Sequence, residues 1–321
     1  MLDKLYAAWR ARRVLLVGGP DRQSQWMQTF LEELGAKPAR IAPGASAEML
    51  CRAMSEARIS AVIVPKAHAL AAEDDLIAQL TALRTLLTEA REAGVPLVML
   101  LSDADVYRAQ QHPWYAREDD LTGGETQCGL IQSILQLYAD GVSRALMGDA
   151  VSVQCVRHMP CLDGGHPSVA QYGAWCEALL SGELVGVEHP AMQGVFLHPL
   201  DVICGALSLG ARFFSGEEPR TGIFNLGAGP HNLCANRSAA LRLISRGGGT
   251  RPICESDPPL GAIPPLLDGS RVRLLCGVRS LISGDEALSM LLDVMRAAQE
   301  SADAESAEIK AQTQRYITLM S

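Results

Sequence analysis

Short apolar runs alternate with helical patterns along the first half of the chain, and this alternation constrains the fold more than any other feature. The run Val14–Val17 ends at Gly18-Gly19 and is followed by a helical stretch over 23–34. Further apolar runs at 61–64 and 96–101 are also flanked by helical segments. Buried strands that alternate with helices of this length are typical of a parallel sheet with right-handed crossovers. The sequence therefore predicts an α/β fold with a Rossmann-like, doubly wound parallel sheet.

The pattern loosens beyond residue 160, where glycine and proline interrupt the helical segments. We expect residues 1–160 to form the Rossmann-like core, with 192–228 returning to it. Residues 161–191 and 229–321 are predicted to form a smaller C-terminal lobe of the substrate-binding type. A chain of 321 residues is long enough for one core with such an appended lobe. The segment 248–265, rich in glycine and proline, is predicted to be irregular.

The charge balance of the chain excludes two classes of partner. The formal net charge is -8 and the isoelectric point is near 5.4, whereas nucleic acids and anionic membranes are bound by clustered basic surfaces. No apolar run approaches the roughly 20 residues that span a bilayer, and the N-terminal segment lacks the pattern of a signal peptide. We therefore expect a cytoplasmic protein that binds neither nucleic acid nor a membrane.

The nine cysteines are scattered through apolar segments, which indicates reduced core thiols rather than a disulfide framework. Cys155, His158 and Cys161 are spaced like metal ligands. No fourth ligand of matching spacing follows them, and a structural metal site of this type needs four. The sequence predicts no metal site.

Several short motifs follow one another along the chain in a characteristic order. They are Val14-Leu15-Leu16-Val17-Gly18 with Trp26 and Leu34-Gly35-Ala36, Arg117-Glu118-Asp119-Asp120 with Gly123-Gly124, Val156-Arg157 with Gly164-Gly165, His189-Pro190 with His198, Asn225-Leu226-Gly227, and Leu267-Asp268-Gly269-Ser270-Arg271. Together they resemble the extended short-chain dehydrogenase/reductases of the NAD-dependent epimerase/dehydratase family, most closely the CDP-glucose 4,6-dehydratases. The resemblance covers nearly the whole chain. It implies NAD or NADP as cofactor and a sugar nucleotide as ligand.

The first turn departs from the dinucleotide-binding pattern, which needs three glycines for a tight turn, close phosphate approach and helix packing. By the resemblance, the three glycine positions of the family correspond to Gly18, Asp21 and Ser24 of this chain. Only the first of the three glycines is kept. Gly18, Gly19 and Arg22 remain as candidate cofactor contacts, but the Asp21 carboxylate would lie close to a diphosphate and repel it. We expect no bound cofactor, and binding of NAD or NADP is the alternative.

The proton-transfer residues that the resemblance implies are also missing. In this superfamily a tyrosine exchanges a proton while a lysine four residues later lowers its pKa. With the register anchored on Gly123-Gly124, the tyrosine position falls on Cys128 and the lysine position on Gln132. A thiol does not replace the phenol of the tyrosine, and a neutral amide does not replace the ammonium group of the lysine. Cys128 is interpreted as a packed cysteine, with a reactive thiol at a helix N-terminus as the alternative.

The stretch before Tyr107 resembles the family segment that carries a substrate-binding hydroxyl and the acid and base of dehydration. If Tyr107 sets the register, Asp103 takes the hydroxyl position, Ala104 the acid position and Asp105 the position of the base or lysine, so that the acid of dehydration is missing. A register shifted by one residue keeps the hydroxyl at Ser102. Two aspartates at the end of a strand lie where α/β sheets bind ligands, and the alternative is that they cap a helix in a turn.

Three further residues are candidate substrate contacts by resemblance: Arg157, His198 and Asn225. Structural hydrogen bonds are the favoured interpretation for Arg157 and Asn225. His198 is equally explained by a hydrogen-bonded position in the core. The arginine that the family carries before His198 falls on Gly194, which weakens the contacts to a nucleotide.

The predicted function is that of a catalytically degenerate sugar-nucleotide dehydratase-like protein, a pseudoenzyme that acts in binding, regulation or assembly. The alternative is an active NAD(P)-dependent sugar-nucleotide 4,6-dehydratase or epimerase with atypical active-site residues, or a thiol-dependent enzyme that uses Cys128. A third hypothesis is a sugar-nucleotide sensor without a cofactor.

Assembly through a four-helix bundle is common in this superfamily, and the resemblance assigns the bundle to the helices over 75–93 and 126–145. The second helix carries one apolar stripe, made of Leu130, Ile134, Leu137 and Tyr138. The sequence therefore predicts a homodimer, or a heterodimer with a paralogue or another protein.

Overall fold

A computed structural model describes most of the chain. It covers residues 1–67, 69–71, 75–108, 115–124, 126–147, 150–162, 169–217, 220–247, 253–258 and 266–321. The strands are β1 (Arg13–Val17), β2 (Lys37–Ile41), β3 (Ala61–Val64), β4 (Leu97–Asp103), β5 (Tyr115–Ala116), β6 (Ser152–His158), β7 (Val185–Glu188), β8 (Gln193–Val195), β9 (Gly222–Leu226), β10 (Leu233–Ala235), β11 (Ile253–Ser256) and β12 (Leu266–Leu267). The helices are α1 (Leu2–Trp9), α2 (Arg22–Glu33), α3 (Ala47–Ala57), α4 (Leu76–Glu92), α5 (Gln127–Val142), α6 (Ala170–Ser181), α7 (Pro199–Phe214), α8 (Asn236–Arg246), α9 (Ser270–Cys276), α10 (Gly284–Glu300) and α11 (Ala302–Leu319).

Six parallel strands form the central sheet in the order β2-β1-β3-β4-β6-β9. The chain runs from β1 outward to β2 and then returns to the other side of β1 with β3, so the strand order reverses beside β1. Ligands of α/β sheets bind outside the carboxyl ends of the strands at such a reversal. The predicted α/β, Rossmann-like fold is confirmed.

Both faces of the sheet are buried at its inner strands, which explains why β1, β3 and most of β4 are continuous apolar runs. Side chains of a strand point alternately to opposite faces, so Val14 and Leu16 of β1 join one core cluster while Leu15 and Val17 join the other. Helices α2 and α7 cover the first face, and α3, α4 and α5 cover the second. Helices on both faces demand apolar residues on both.

Local signals set the ends of the helices that were predicted. Asp75 caps α4 by accepting hydrogen bonds from the backbone N–H groups of Ile77 at 2.8 Å and Ala78 at 3.1 Å. The helix ends before Gly94, whose φ of +69° is the left-handed conformation that favours glycine. The predicted helix over 75–93 is confirmed in this way.

Two elements differ from the sequence prediction. Strand β11 lies within the segment 248–265 that was predicted to be irregular, because it pairs with β7, a partner distant in sequence. Helix α11 was not predicted, since its buried face includes the polar residues Gln312 and Thr313 beside Ile309 and Tyr316. Gly164-Gly165, part of the resemblance, lies outside the described residues. The division of the chain into a core and a lobe stays a prediction.

None of the described helices combines the length and the apolar composition that crossing a bilayer demands.

Trp9 joins the first helix to the sheet-covering helix α7, and its loss tests this packing. The Trp9 ring is fully buried, its Nε1 donates to the carbonyl of Leu207 at 2.9 Å, and its centroid lies 5.2 Å from that of Phe214. We expect Trp9→Ala to lower the free energy of unfolding by about 3–5 kcal/mol, because a large cavity remains. Urea denaturation followed by circular dichroism measures this change. Leu241→Ala, at an exposed position of α8, is the control, and a Trp9→Ala loss no larger than the control contradicts the assignment.

Candidate functional site

A carboxylate side chain of the protein itself lies in the turn between β1 and α2. Asp21 is the N-cap of α2, and its carboxylate accepts hydrogen bonds from the Ser24 backbone N–H at 3.1 Å and the Ser24 hydroxyl at 2.9 Å. The Lys66 ammonium lies 3.6 Å from the same carboxylate. Helix N-termini attract phosphate groups through free N–H groups and the helix dipole. Here the Asp21 carboxylate takes that position.

The candidate cofactor contacts are arranged around this carboxylate. A Cβ on Gly18 would lie 2.7 Å from the Ser24 hydroxyl, so glycine is needed there for close packing of β1 and α2. Gly19 has more space, with Asp21 the nearest group at 3.8 Å from a Cβ. Arg22 instead forms an ion pair with Glu305 of α11, with its Nε 2.6 Å from the carboxylate. The structure therefore places Arg22 against the C-terminal helix.

A chain of polar side chains runs along the carboxyl edge of the sheet from this turn to α5. The Gln23 amide lies 3.4 Å from Nε2 of His158, and the His158 ring lies 3.8 Å from the Asp103 carboxylate. Gln132 accepts a hydrogen bond from the Asp103 backbone N–H at 2.9 Å and donates to the Asp103 carboxylate at 3.4 Å. The Gln132 amide also lies 3.2 Å from Sγ of Cys128. We call these five residues the edge chain.

The edge chain is largely sealed from solvent. Gln23, His158, Asp103 and Gln132 are each at most 9% exposed, and Cys128 is half-buried. Burial makes a hydrogen-bonded polar group costly to separate from its partners. The edge chain therefore has its side chains bonded to one another at the edge where α/β sheets bind ligands.

The residues at the predicted tyrosine and lysine positions are thus brought together, and Asp103 joins them. Asp103 also stands at the N-cap position of a single 3₁₀ turn over 104–106, but its side chain caps no N–H group there. Asp105 is not part of the edge chain. Its backbone carbonyl packs tightly against the backbone at Gly124 and Gly129, where an added Cβ would clash. The helix-capping alternative does not apply to Asp103.

A second buried network lies beside the edge chain and contains two of the candidate substrate contacts. Arg157 donates to the Tyr107 hydroxyl at 2.5 Å and to the side-chain amide oxygen of Gln136 at 2.6 Å. The Tyr107 hydroxyl donates to Asn225 at 2.9 Å, and Gln136 donates to the Ser102 hydroxyl. Burial raises the pKa of Tyr107, so its phenol stays protonated. These contacts join the segments around β4, β6 and β9.

Arg157 and Asn225 therefore have the structural hydrogen bonds that were their alternative interpretation. The Asn225 amide also donates to the carbonyl of Ala116 at 2.9 Å. Both side chains are at most 2% exposed. A role for them in binding substrate stays a prediction.

His198 lies in the core at the start of α7. Its Nδ1 accepts the backbone N–H of Leu200 at 3.1 Å, and its ring packs edge-on against Trp26 with centroids 5.0 Å apart. Burial lowers the pKa of His198 to about 3. The imidazole is therefore neutral near pH 7 and serves as a helix cap in the folded protein.

Gly194 occupies the position at which the resemblance expects an arginine. A Cβ there would clash with the Tyr172 hydroxyl and lie 2.5 Å from the Asn236 side-chain oxygen. The rings of Tyr172, Trp175 and Phe196 pack together at this place, with centroids 4.6–6.5 Å apart. Aromatic packing therefore takes the space that a long cationic side chain would need.

A dinucleotide fits these residues poorly. Its diphosphate would meet the Asp21 carboxylate at the helix N-terminus, and Arg22 is turned to Glu305. Like charges about 4 Å apart repel by roughly 4 kcal/mol at an effective dielectric of about 20. Gln23 and Lys66, which complete this arrangement, were not singled out from the sequence. A polar side chain on the packed face of α2 was the available signal for Gln23.

Within the described ranges, no three His, Cys, Asp or Glu side chains are grouped so that they could hold a metal ion. Cys155, one of the residues spaced like metal ligands, is buried in β6, and burial raises the pKa of its thiol to about 12.

Comparison with known proteins gives a fold but no close relative. No protein-family model and no curated protein matches the chain. Solved structures that match include UDP-glucose 4-epimerase of Thermotoga maritima with UDP-glucose, with 16% identity, a TM-score of 0.72, and coverage of 90% of this chain and 100% of that chain. The dTDP-glucose 4,6-dehydratase of Streptomyces venezuelae, solved with NAD, has 16% identity and a TM-score of 0.70 over 91% of this chain and 99% of that chain. An epimerase of Methanothermobacter thermautotrophicus has 15% identity and a TM-score of 0.73 over 93% and 96% of the two chains.

The chain therefore shares the fold of these epimerases and of this dehydratase. The resemblance predicted from the sequence is confirmed at this level.

The neutral His198 ring predicts an acid-sensitive fold. Its pKa is about 3 in the folded protein and near 6.5 when unfolded, so the unfolded chain binds the proton first as pH falls. His198 therefore contributes stability above pH ~6.5, and this contribution declines between pH ~6.5 and ~3, by up to about 1.4 kcal/mol per pH unit. His198→Asn keeps a helix cap and should flatten this decline. Urea denaturation at several pH values between ~7 and ~4.5 measures the effect, and equal slopes for both proteins contradict it.

Proposed function

We propose that this protein is a non-catalytic relative of the sugar-nucleotide dehydratases and epimerases that acts in binding, regulation or assembly without NAD(P). The observation that carries the proposal is the contact of the Gln132 amide with both Cys128 and Asp103. This amide stands where the family resemblance requires a lysine.

The chemistry of that site supports the proposal. Proton exchange at a sugar hydroxyl needs a group whose pKa is lowered by a fixed positive charge nearby. Gln132 carries no charge, and its amide is already engaged by Asp103 and Cys128. The Cys128 thiol is also shorter than a phenol and reaches less far from the helix.

The glycine turn supports the absence of a cofactor independently. The Asp21 carboxylate is held by Ser24 and lies close to Lys66, so an incoming diphosphate would have to displace it. The active-enzyme alternative requires the same site to accept NAD or NADP. A measurement of cofactor binding therefore distinguishes the non-catalytic proposal from the active-enzyme alternative.

Titration calorimetry with NAD, NADP, CDP-glucose and UDP-glucose tests the proposal. We expect the wild-type protein to bind neither NAD nor NADP with a Kd tighter than about 1 mM, and to turn over neither sugar nucleotide. The double variant Asp21→Gly, Ser24→Gly removes the like charge and reopens the turn, and we expect it to bind NAD at least about tenfold more tightly. Asp75→Gly removes the equivalent cap of α4 and is the matched control.

Micromolar binding of NAD or NADP by the wild-type protein, accompanied by turnover of a sugar nucleotide, overturns the non-catalytic proposal and favours the active-enzyme alternative. Equal NAD affinity in the wild-type protein and the double variant would show that Asp21 does not close the turn.

We further propose that the protein dimerises through α4 and α5. These helices contact each other and expose Leu130, Leu137 and Ile77, which are 47%, 61% and 71% exposed. Leu130 and Leu137 lie two turns apart on one face of α5, so they form a continuous apolar strip. A second copy of this face would bury the strip.

Light scattering at micromolar concentration tests the dimer. We expect the wild-type protein to have twice the 34.4 kDa mass of one chain. The double variant Leu130→Glu, Leu137→Glu should be a monomer, because it would place charges in the apolar contact. Leu241→Glu, on the exposed face of α8, should leave the dimer intact. A monomeric wild-type protein contradicts the homodimer.

A further inference from the structure

A cavity of about 420 Å³ opens at the carboxyl end of β9, apart from the edge chain. We propose that it binds a small organic phosphate monoester. Its walls include the apolar side chains of Leu226, Val272 and Val278, and its polar lining includes Arg273 and Arg279. Small-molecule sites commonly have volumes of about 300–1,000 Å³ and combine apolar walls with a few polar groups. The inference concerns a different site from the proposed loss of catalysis and does not depend on it.

The position of the cavity is one at which parallel sheets bind ligands. It borders the loop over 227–231, which leaves the carboxyl end of β9. His158 of the edge chain pairs with Leu226, but none of the five edge-chain residues lines the cavity. The end of β4 at Asp103 is about 10 Å from Leu226, because β6 lies between β4 and β9. Asp21 and the turn after β1 lie still further along the same edge. The cavity is therefore separate from the closed dinucleotide position.

Arg279 supplies a cation that the described part of the chain leaves without a partner. Its neighbours are anchored, because Val278 is buried and the Ser280 hydroxyl donates to Asp201 at 2.6 Å. Throughout the described ranges, no side chain or backbone group forms a hydrogen bond or ion pair with the Arg279 guanidinium. The Arg273 guanidinium donates to the Ser270 hydroxyl at 3.1 Å and also lies within electrostatic range of the Asp268 carboxylate. Two guanidinium groups beside one cavity suit a phosphate group, which accepts several charge-assisted hydrogen bonds.

Asp201 also lines the cavity, and its charge is already compensated. Its carboxylate accepts hydrogen bonds from the Leu281 backbone N–H at 2.8 Å and the Tyr316 hydroxyl at 2.8 Å, in addition to Ser280. Burial raises the pKa of this carboxyl group. Asp268, next to the lining residue Gly269, is likewise bound by the Ser270 N–H at 2.9 Å. The cationic groups at the cavity therefore remain available to an anion.

The wall of the cavity is held in place before any ligand arrives. Asn232, which is fully buried, accepts the backbone N–H of Gly229 at 2.9 Å and donates to the carbonyl of Ile282 at 2.8 Å. The backbone of Gly227 packs against that of Gly269, where an added Cβ would clash. A wall held by such contacts loses little entropy when a ligand binds, which favours affinity.

Calorimetry on the full chain tests the site with AMP, CMP, UMP, glucose 6-phosphate and inorganic phosphate as probes. We expect at least one organic phosphate to bind with a micromolar Kd and inorganic phosphate to bind more weakly, because it does not contact the apolar wall. Arg279→Gln and Arg273→Gln should each weaken the binding at least about tenfold. Arg52→Gln, at an exposed arginine of α3, should leave it unchanged.

A second variant tests the cavity without changing its charge. Val278→Phe fills the space between the walls, and we expect it to abolish binding of the organic phosphate while thermal unfolding shows that the protein is folded. If Val278→Phe does not fold, Ala228→Phe on the lining loop serves the same purpose. The proposal is overturned if none of the organic phosphates binds at concentrations up to about 10 mM. It is also overturned if binding persists in the Arg273→Gln, Arg279→Gln double variant, which locates the ligand elsewhere.

Failure of this proposal is distinguishable from failure of the non-catalytic proposal. Binding of NAD with turnover concerns the turn after β1 and is sensitive to Asp21. Binding of an organic phosphate concerns the cavity after β9 and is sensitive to Arg273 and Arg279.

Discussion

The arrangement of side chains at the carboxyl edge of this sheet depends on the hydrogen bonds of the Gln132 amide. One neutral side chain from α5 satisfies the Asp103 backbone N–H, approaches the Asp103 carboxylate and contacts the Cys128 thiol. Because all of these groups lie in or beside the protein interior, separating them would leave polar atoms without water or partners. The site therefore favours a closed arrangement, whereas a reductase site of this fold must remain open to a cofactor and a substrate.

In the turn after β1, a group of the protein itself also takes the hydrogen bonds, and here that group is charged. A helix N-terminus in this position attracts an anion, and the chain provides one in the Asp21 carboxylate. Beside it, the Arg157 network links β4, β6 and β9 through side chains that are buried from solvent. Structures with only about 16% identity share this fold. The architecture thus depends on buried apolar strands and a few polar networks more than on the residues of catalysis.

The sequence predicted the parts of this structure that local patterns determine. The apolar run of β1 with its glycine turn, and the capped helix after Asp75, could be predicted because strand burial, capping and chain reversal act within a few residues. The edge chain could be predicted only in part. Cys128 and Gln132 were placed by resemblance, but their contact with Asp103 and the link to His158 and Gln23 depend on strand neighbours far apart in sequence. Helix α11 was missed because its buried face contains glutamine and threonine, which find hydrogen bonds only in the folded chain.

Helix α11 lies on α2, and this contact joins early and late parts of the chain. Arg22 and Glu305 are 283 positions apart, and the ring of Phe30 packs against that of Tyr316. At a translation rate of about 5–20 residues per second, the partner of α2 is synthesised roughly 15–60 s after α2 itself. During this interval the apolar surface of α2 that α11 later covers faces the cellular environment, where chaperones bind such surfaces. The order of synthesis therefore delays burial of this surface of α2 until α11 has been made.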